Sequence, residues 1–260
     1  MQCVILAGGL GTRMRPLTET MPKFLLPVNG RPFADYQLAW LAGQGVDRVL
    51  LLIGYMGERI EKHVGDGSAH GLQVRYVHEG ESLRGTAGAV RLAVESGEVD
   101  EKFLLLYGDS FLPVDIGAVW REFEDREAPA LMTVLRNGDR WDRSNVIYRD
   151  GWVELYDKRR EHARRREMAY IDYGLSAYRR SVFENQGGEQ PSDLSPILHE
   201  LSLAGQLAGY EVRERFYEVG SPEGLHDFER YAAERGLLAA PQGDEHGESI
   251  DDRATANCAR

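Results

Sequence analysis

The sequence predicts an α/β fold: a three-layer sandwich in which helices cover both faces of a mixed, mostly parallel central sheet. Apolar runs alternate with helical patterns through residues 1–128. Two of those runs, Val49-Leu50-Leu51-Leu52-Ile53 and Phe103-Leu104-Leu105-Leu106, are apolar at every position, as strands buried on both faces are. The second half instead strings short strands across polar turns, which adds a small, partly antiparallel lobe.

The elements follow in order. Cys3–Ala7, Val49–Gly54, Gln73–Val77 and Phe103–Tyr107 are β-rich runs, and helical patterns cover Phe33–Gln44, Glu58–Val64 and Thr86–Ser96. In the first helix Phe33, Tyr36, Trp40 and Leu41 share a face at i, i+3, i+7 and i+8. Thr86 is the expected N-cap of the third helix and Gly97 its stop. Strands are then expected over Ala130–Leu135, Asn145–Tyr148, Trp152–Tyr156 and Leu175–Tyr178, with Arg149-Asp150-Gly151 as a hairpin turn. A helix over Leu194–Ala204 and a strand near Tyr210–Tyr217 come next. The last helix opens at Ser221-Pro222, serine as N-cap and proline at N1. Residues 1–238 read as one domain with two halves, 1–128 and 129–238, and the small and charged residues 239–260 as a disordered tail.

Composition narrows the function. The net charge of −11 over 260 residues argues against general nucleic-acid binding. Two cysteines, Cys3 and Cys258, imply no disulfide framework. Met1 runs straight into a strand without a basic leader, and no run approaches the ~20 apolar residues of a membrane span. A cytoplasmic protein that engages no membrane is expected; a homo-oligomer is left open.

The chemistry begins at Leu6-Ala7-Gly8-Gly9-Leu10-Gly11-Thr12-Arg13-Met14-Arg15-Pro16, followed by Pro22-Lys23. A strand leads into a glycine-dense loop and then into Arg13, Arg15 and Lys23. That arrangement suits backbone N–H groups closing on a polyphosphate, with the cations offsetting its charge; an ordinary βα turn is the plainer alternative. It is not a P-loop, because no Gly-Lys-Ser/Thr follows. Nor is it the dinucleotide fingerprint: Met14 takes the third glycine position, and no acidic residue ends a second strand about 20 residues on.

The loop resembles the signature of the sugar-1-phosphate nucleotidyltransferases. The resemblance continues, in the family's order, through Pro27-Val28-Asn29-Gly30-Arg31-Pro32, Arg84-Gly85-Thr86-Ala87-Gly88-Ala89, Tyr107-Gly108-Asp109-Ser110, Tyr156-Asp157-Lys158 and Glu218-Val219-Gly220-Ser221-Pro222-Glu223. It covers residues 1 to about 235, and the first half is most similar to the mannose-1-phosphate and heptose-1-phosphate guanylyltransferases. It implies the Rossmann-like nucleotide-diphospho-sugar transferase fold, with the second half as the sugar-binding lobe. The implied reaction joins a nucleoside triphosphate to a sugar 1-phosphate and releases pyrophosphate. Mg²⁺ is the implied cofactor, and GTP with a heptose- or mannose-1-phosphate the first expectation. Thymidylyl, uridylyl or cytidylyl transfer, a non-sugar phosphate acceptor, and a regulatory homologue without turnover are the alternatives.

Two phosphoesters repel, so this chemistry asks for charge neutralisation and in-line positioning rather than a protein nucleophile. By resemblance, Arg13 grips the outer phosphates and Lys23 neutralises charge at the α-phosphorus, while Arg15 supports the loop or is merely solvated. Leu6, Ala7, Gly8, Gly9, Gly11, Thr12 and Gly108 complete the nucleotide cradle, with Gly85 and Thr86 lying against base or ribose. Asp109 ends an apolar strand behind a glycine and is the candidate Mg²⁺ ligand, an Asx turn being the plainer reading. Glu218 is the second metal candidate, standing where many members carry aspartate. Lys158 matches a phosphate-binding lysine, with Asp157 beside it as a sugar-hydroxyl acceptor, although Arg159 replaces the family's proline. Asp172 and Gly174 fall in the block that faces the sugar, Asp172 replacing the usual asparagine. Glu79 and Glu81 fall where the base is contacted, and exposed loop acids are the plainer reading. The basic run 158–166 is a solvated segment or a lid. The histidines show no metal-ligand spacing.

Overall fold

The computed structural model describes residues 1–80, 84–184 and 191–238. In chain order the first half holds β1 (Gln2–Leu6), a small hairpin of β2 (Pro27–Val28) and β3 (Arg31–Pro32), α1 (Phe33–Gly43), β4 (Arg48–Ile53), α2 (Gly57–Val64), β5 (Gln73–His78), α3 (Gly85–Glu95), β6 (Lys102–Tyr107), β7 (Ser110–Phe111) and α4 (Ile116–Asp125). The second half adds β8 (Ala130–Arg136), β9 (Val146–Arg149), β10 (Trp152–Tyr156), β11 (Tyr170–Arg179), α5 (Ser181–Glu184), α6 (Leu194–Leu203), β12 (Leu207–Val212), β13 (Tyr217–Glu218) and α7 (Pro222–Glu234).

One nine-stranded sheet runs through both halves in the order β5-β4-β1-β6-β11-β8-β12-β10-β9. β1 is parallel to β4 and β6, β4 to β5, and β12 to β8, while β10 runs against β12 and β9, so the sheet is mixed: parallel from β5 to β6 and largely antiparallel beyond. β11 enters between β6 and β8 and runs against both. Its first residue also pairs with β9, Tyr170 opposite Val146, so the far strands curl back on themselves.

Strand alternation builds two cores. Cys3, Ile5, Val49, Leu51 and Ile53 face one layer, packed by α1, α2, α4 and α7; Val4, Leu50 and Leu52 face the other, packed by α3, α5 and α6. Gly97 stops α3 as expected: it takes φ 74°, and the Glu98 N–H returns to the Ala93 carbonyl.

The sequence reading needs three corrections. α4 was not anticipated, although Ile116, Val119 and Phe123 at i, i+3 and i+7 bury its face and Asp115 caps it through the Ala118 N–H. The strand expected at Tyr210–Tyr217 is two elements: β12 ends at Val212, and Tyr217-Glu218 pairs with Ser110-Phe111. Thr86 does not cap its own helix, which starts at Gly85; its hydroxyl accepts the Leu194 N–H at the start of α6. The tail expected at 239–260 lies outside the described residues.

Candidate active site

Ligands of such sheets gather at the strands' carboxyl ends, and here β1, β5 and β6 deliver their ends to one cleft. It has a volume of about 260 Å³ and is lined by Leu6, Ala7, Gly8, Gly9, Gly11, Lys23, Phe24, Glu79, Gly85, Thr86, Ala89, Tyr107, Gly108, Asp109 and Asp193. Ten of the expected nucleotide-cradle residues therefore share one wall. Thr12 and Arg13 do not line it. They sit on the outer turn Thr12–Met14, from which Arg13 reaches across to Gly220.

Glycine is required where backbone meets backbone. A Cβ on Gly108 would lie 2.9 Å from the Leu6 carbonyl oxygen, and the Gly108 N–H donates to that same oxygen at 2.9 Å. A Cβ on Gly8 would lie 2.1 Å from Glu79 Oε1. Glu79 is 8% exposed, so it is not a solvated loop acid. Burial pushes its pKa up, while the Arg84 N–H and guanidinium pull it down. Glu81 lies outside the described residues.

Gly85 and the first turn of α3 do something other than expected. The Ala87 and Gly88 N–H groups donate to the Ser192 carbonyl at 2.9 and 3.2 Å rather than standing open to a ligand. The small side chains admit the 192–194 segment, which carries Asp193 into the cleft. Gly85 and Thr86 still line the wall beside it.

Charge concentrates at the other end. The Lys23 ammonium contacts Asp109 Oδ2, and Ser110 Oγ donates to Asp109 Oδ1 at 3.2 Å. A Cβ on Gly220 would meet Arg13 Nη2 at 3.2 Å, Lys23 Nζ at 3.4 Å and Asp109 Oδ2 at 3.7 Å, so these three groups converge over one glycine. The β13–β7 pairing sets Glu218 opposite Ser110, and the Val219 N–H donates to the Asp109 carbonyl at 2.8 Å. Glu218 is exposed, yet the surrounding protein and the Asp109 charge push its pKa up to about 7, against the pull of Lys23 and Arg13. Tyr217 beside it stacks on Tyr231 of α7 at 4.1 Å, with the Arg215 guanidinium 4.7 Å over the Tyr217 ring.

The remaining expected residues form a second cluster. Asp172 lies within electrostatic reach of Lys158, Tyr107, Tyr156 and Tyr178; burial raises its pKa to about 6, opposed by the Gly174 N–H and Lys158. Gly174 takes φ 105°, a conformation that suits glycine, at the point where the β11–β8 register slips. Asp157 needs correcting as a sugar-hydroxyl acceptor: Oδ1 accepts the Arg159 and Arg160 N–H groups and Oδ2 that of His162. Its carboxylate is turned onto its own loop, which fixes Lys158 in place. The basic run is tied down too, Arg160 to Asp139 and Arg164 to Glu154 and Glu167. The sequence reading missed Asn145, whose Oδ1 accepts the Asp172 N–H at 3.0 Å and whose carbonyl accepts the Asp157 N–H.

Among the described residues no group of three or more His, Cys, Asp or Glu is arranged to hold a metal ion. Asp109 and Glu218, a pair of oxygen donors, fit Mg²⁺, which takes one or two carboxylates and fills its shell from substrate phosphates and water. They do not fit a closed structural site.

An amide-lined cradle beside two carboxylates and two cations suits an anionic, phosphate-bearing ligand. Residues 2–233 match the nucleotidyl transferase family, and the chain belongs to it. It is 29% identical over 226 residues to the D-glycero-alpha-D-manno-heptose 1-phosphate guanylyltransferase of Aneurinibacillus thermoaerophilus, covering 86% of this chain and 94% of that protein. It is also 29% identical over 246 residues to the mannose-1-phosphate guanylyltransferase of Mycobacterium tuberculosis, covering 92% and 66%. Among solved structures, HddC from Yersinia pseudotuberculosis complexed with GMP-PN superposes with a TM-score of 0.73 at 22% identity, covering 88% of this chain and 98% of that one, and so shares the fold. No helix among the described residues is long and apolar enough to cross a membrane.

Proposed function

We propose that this nucleotidyltransferase condenses GTP with a heptose- or mannose-1-phosphate, giving a GDP-sugar and pyrophosphate. The single observation that carries the substrate class is the Lys158–Asp172 cluster beside the cleft, joined to it at Tyr107: the cleft suits a nucleotide and the cluster a phosphorylated polyol. Guanine is favoured by Glu79, a buried carboxylate at the base end that can accept from an N1–H and an exocyclic amine, and by the guanylyltransferase relatives. The two halves divide the work, residues 1–128 holding the nucleotide and 129–238 the sugar phosphate.

The acceptor phosphate oxygen attacks the α-phosphorus, that bond forms, and the bond to pyrophosphate breaks in line. Lys23 neutralises charge gathering at the α-phosphorus and Arg13 holds the departing phosphates. Lys158 binds the acceptor phosphate, and Asp172 reads a sugar hydroxyl. Asp109 and Glu218 would hold Mg²⁺, which supplies further charge neutralisation at the phosphates when bound. Arg13, Lys23 and Asp109 are all present, which favours an active enzyme over a silent homologue.

A pyrophosphate-release screen of GTP, ATP, UTP, CTP and dTTP against a panel of sugar 1-phosphates tests this. GTP with a heptose- or mannose-1-phosphate should give the highest kcat/KM, and none should react without a divalent cation. A preference for dTTP or UTP would overturn the base assignment. Near-normal turnover in Asp109→Asn would remove Asp109 from the metal site.

A further inference from the structure

Gln37 is a fully buried amide on the face of α1 that otherwise carries Ala34, Leu38 and Leu41 into the core. Its Nε2 donates twice, to the Tyr107 carbonyl at 2.9 Å and to the Ser110 carbonyl at 2.6 Å. Those two carbonyls bracket Gly108 and Asp109. Both partners are acceptors, so only the NH₂ end of the amide can face them, which fixes its orientation. The other end, Oε1, has no partner among the described residues.

A core position that needed only to be filled would take an apolar side chain. One chosen for its own hydrogen bonding would satisfy both ends. Gln37 does neither: it leaves its oxygen bare and spends both protons on one turn.

The same turn is held from two other directions. β1 takes the Gly108 N–H through the Leu6 carbonyl, and the segment after β13 takes the Asp109 carbonyl through the Val219 N–H. From α1, Gln37 supplies the third direction. We infer that Gln37 is a positioning residue for the reaction: it clamps the Tyr107–Ser110 turn from beneath so that the Asp109 carboxylate faces the cleft in a fixed pose for the divalent cation. The inference rests on the reading of Asp109 as a ligand of that cation.

The test compares Gln37→Met, Asp109→Asn and Leu38→Ala in the full chain. Mn²⁺ affinity is read by electron paramagnetic resonance with a non-hydrolysable GTP analogue present, alongside kcat, the KM for GTP and thermal melting. Gln37→Met keeps the volume and loses both donors. It should weaken Mn²⁺ binding by about tenfold and lower kcat, with the KM for GTP changing by less than about twofold. Leu38→Ala, a core truncation on the same helix, should lower the melting temperature and leave Mn²⁺ affinity at the wild-type value. Wild-type Mn²⁺ affinity in Gln37→Met would overturn the inference, as would an equal loss in Leu38→Ala. Wild-type Mn²⁺ affinity in Asp109→Asn would instead overturn the reading beneath it. Should Gln37→Met fail to fold, Gln37→Glu, which keeps the shape and offers at most one proton, is read by the same criteria.

Discussion

Gly8 and Glu79 fill one another's space. Because Oε1 of Glu79 occupies the place of a Gly8 side chain, Gly8→Ala must push the carboxylate out of the base end. The expected result is a KM for GTP raised about tenfold or more, equivalent to ~1.4 kcal/mol, with the sugar-phosphate KM little changed; a wild-type nucleotide KM would show that Glu79 takes no part in base binding. Lys158 behaves in the opposite sense. Held by a loop that Asp157 organises through three backbone N–H groups, it should raise the KM for the sugar phosphate far more than that for GTP when changed to alanine, and steady-state kinetics with each substrate varied in turn reads the difference. Gly8 and Gly108 were legible because close contact forces their type, with the Glu79 carboxylate at Gly8 and with the Leu6 carbonyl at Gly108. The role of Asp157 was not, since its partners are amides of its own loop and a carboxylate beside a lysine looks the same in sequence whichever way it turns.

At the scale of elements, Glu218 depends on how α7 begins. Ser221 accepts the Gly224 N–H at 3.1 Å, and a Cβ on Gly224 would lie 2.2 Å from the Glu218 carbonyl oxygen. Gly224→Ala should therefore displace β13, lowering kcat and weakening divalent-cation activation. Ser221→Ala, which removes only the cap, should cost about 1 kcal/mol of stability with activation unchanged at temperatures well below melting; calorimetry and a cation titration separate the two. The strands buried on both faces were plain in the sequence, since Val49–Ile53 and Phe103–Leu106 are apolar throughout. The end of β12 was not: nothing in Tyr210–Tyr217 announces that the chain leaves the sheet at Arg213 and returns to pair with Ser110-Phe111, because that pairing depends on residues a hundred positions earlier. α4 carries its own signals in the sequence, Ile116, Val119 and Phe123 at helical spacing behind the Asp115 cap.

Over the whole molecule, the buried carboxyl of Asp172 leaves a mark on stability against pH. It ionises at about 6 in the fold against 3.8 unperturbed, so between those values the unfolded chain gives up the proton first. Stability falls as pH rises through that window and regains nothing from this group above it. Asp172→Asn abolishes the slope: its melting temperature relative to wild type should grow from about pH 4 to about pH 7, and a constant difference would show that the carboxyl is freely solvated. The sheet itself has a further consequence. β11 comes from the second half of the chain and lies between β6 and β8. A fragment ending near residue 128 would leave Phe103–Tyr107 as a naked, apolar rim, the kind of surface that recruits other chains into aggregates. The two halves are thus not exchangeable modules. A chimaera that grafts the second half of one relative onto the first half of another must carry over the β6–β11 seam intact, and should otherwise precipitate on expression.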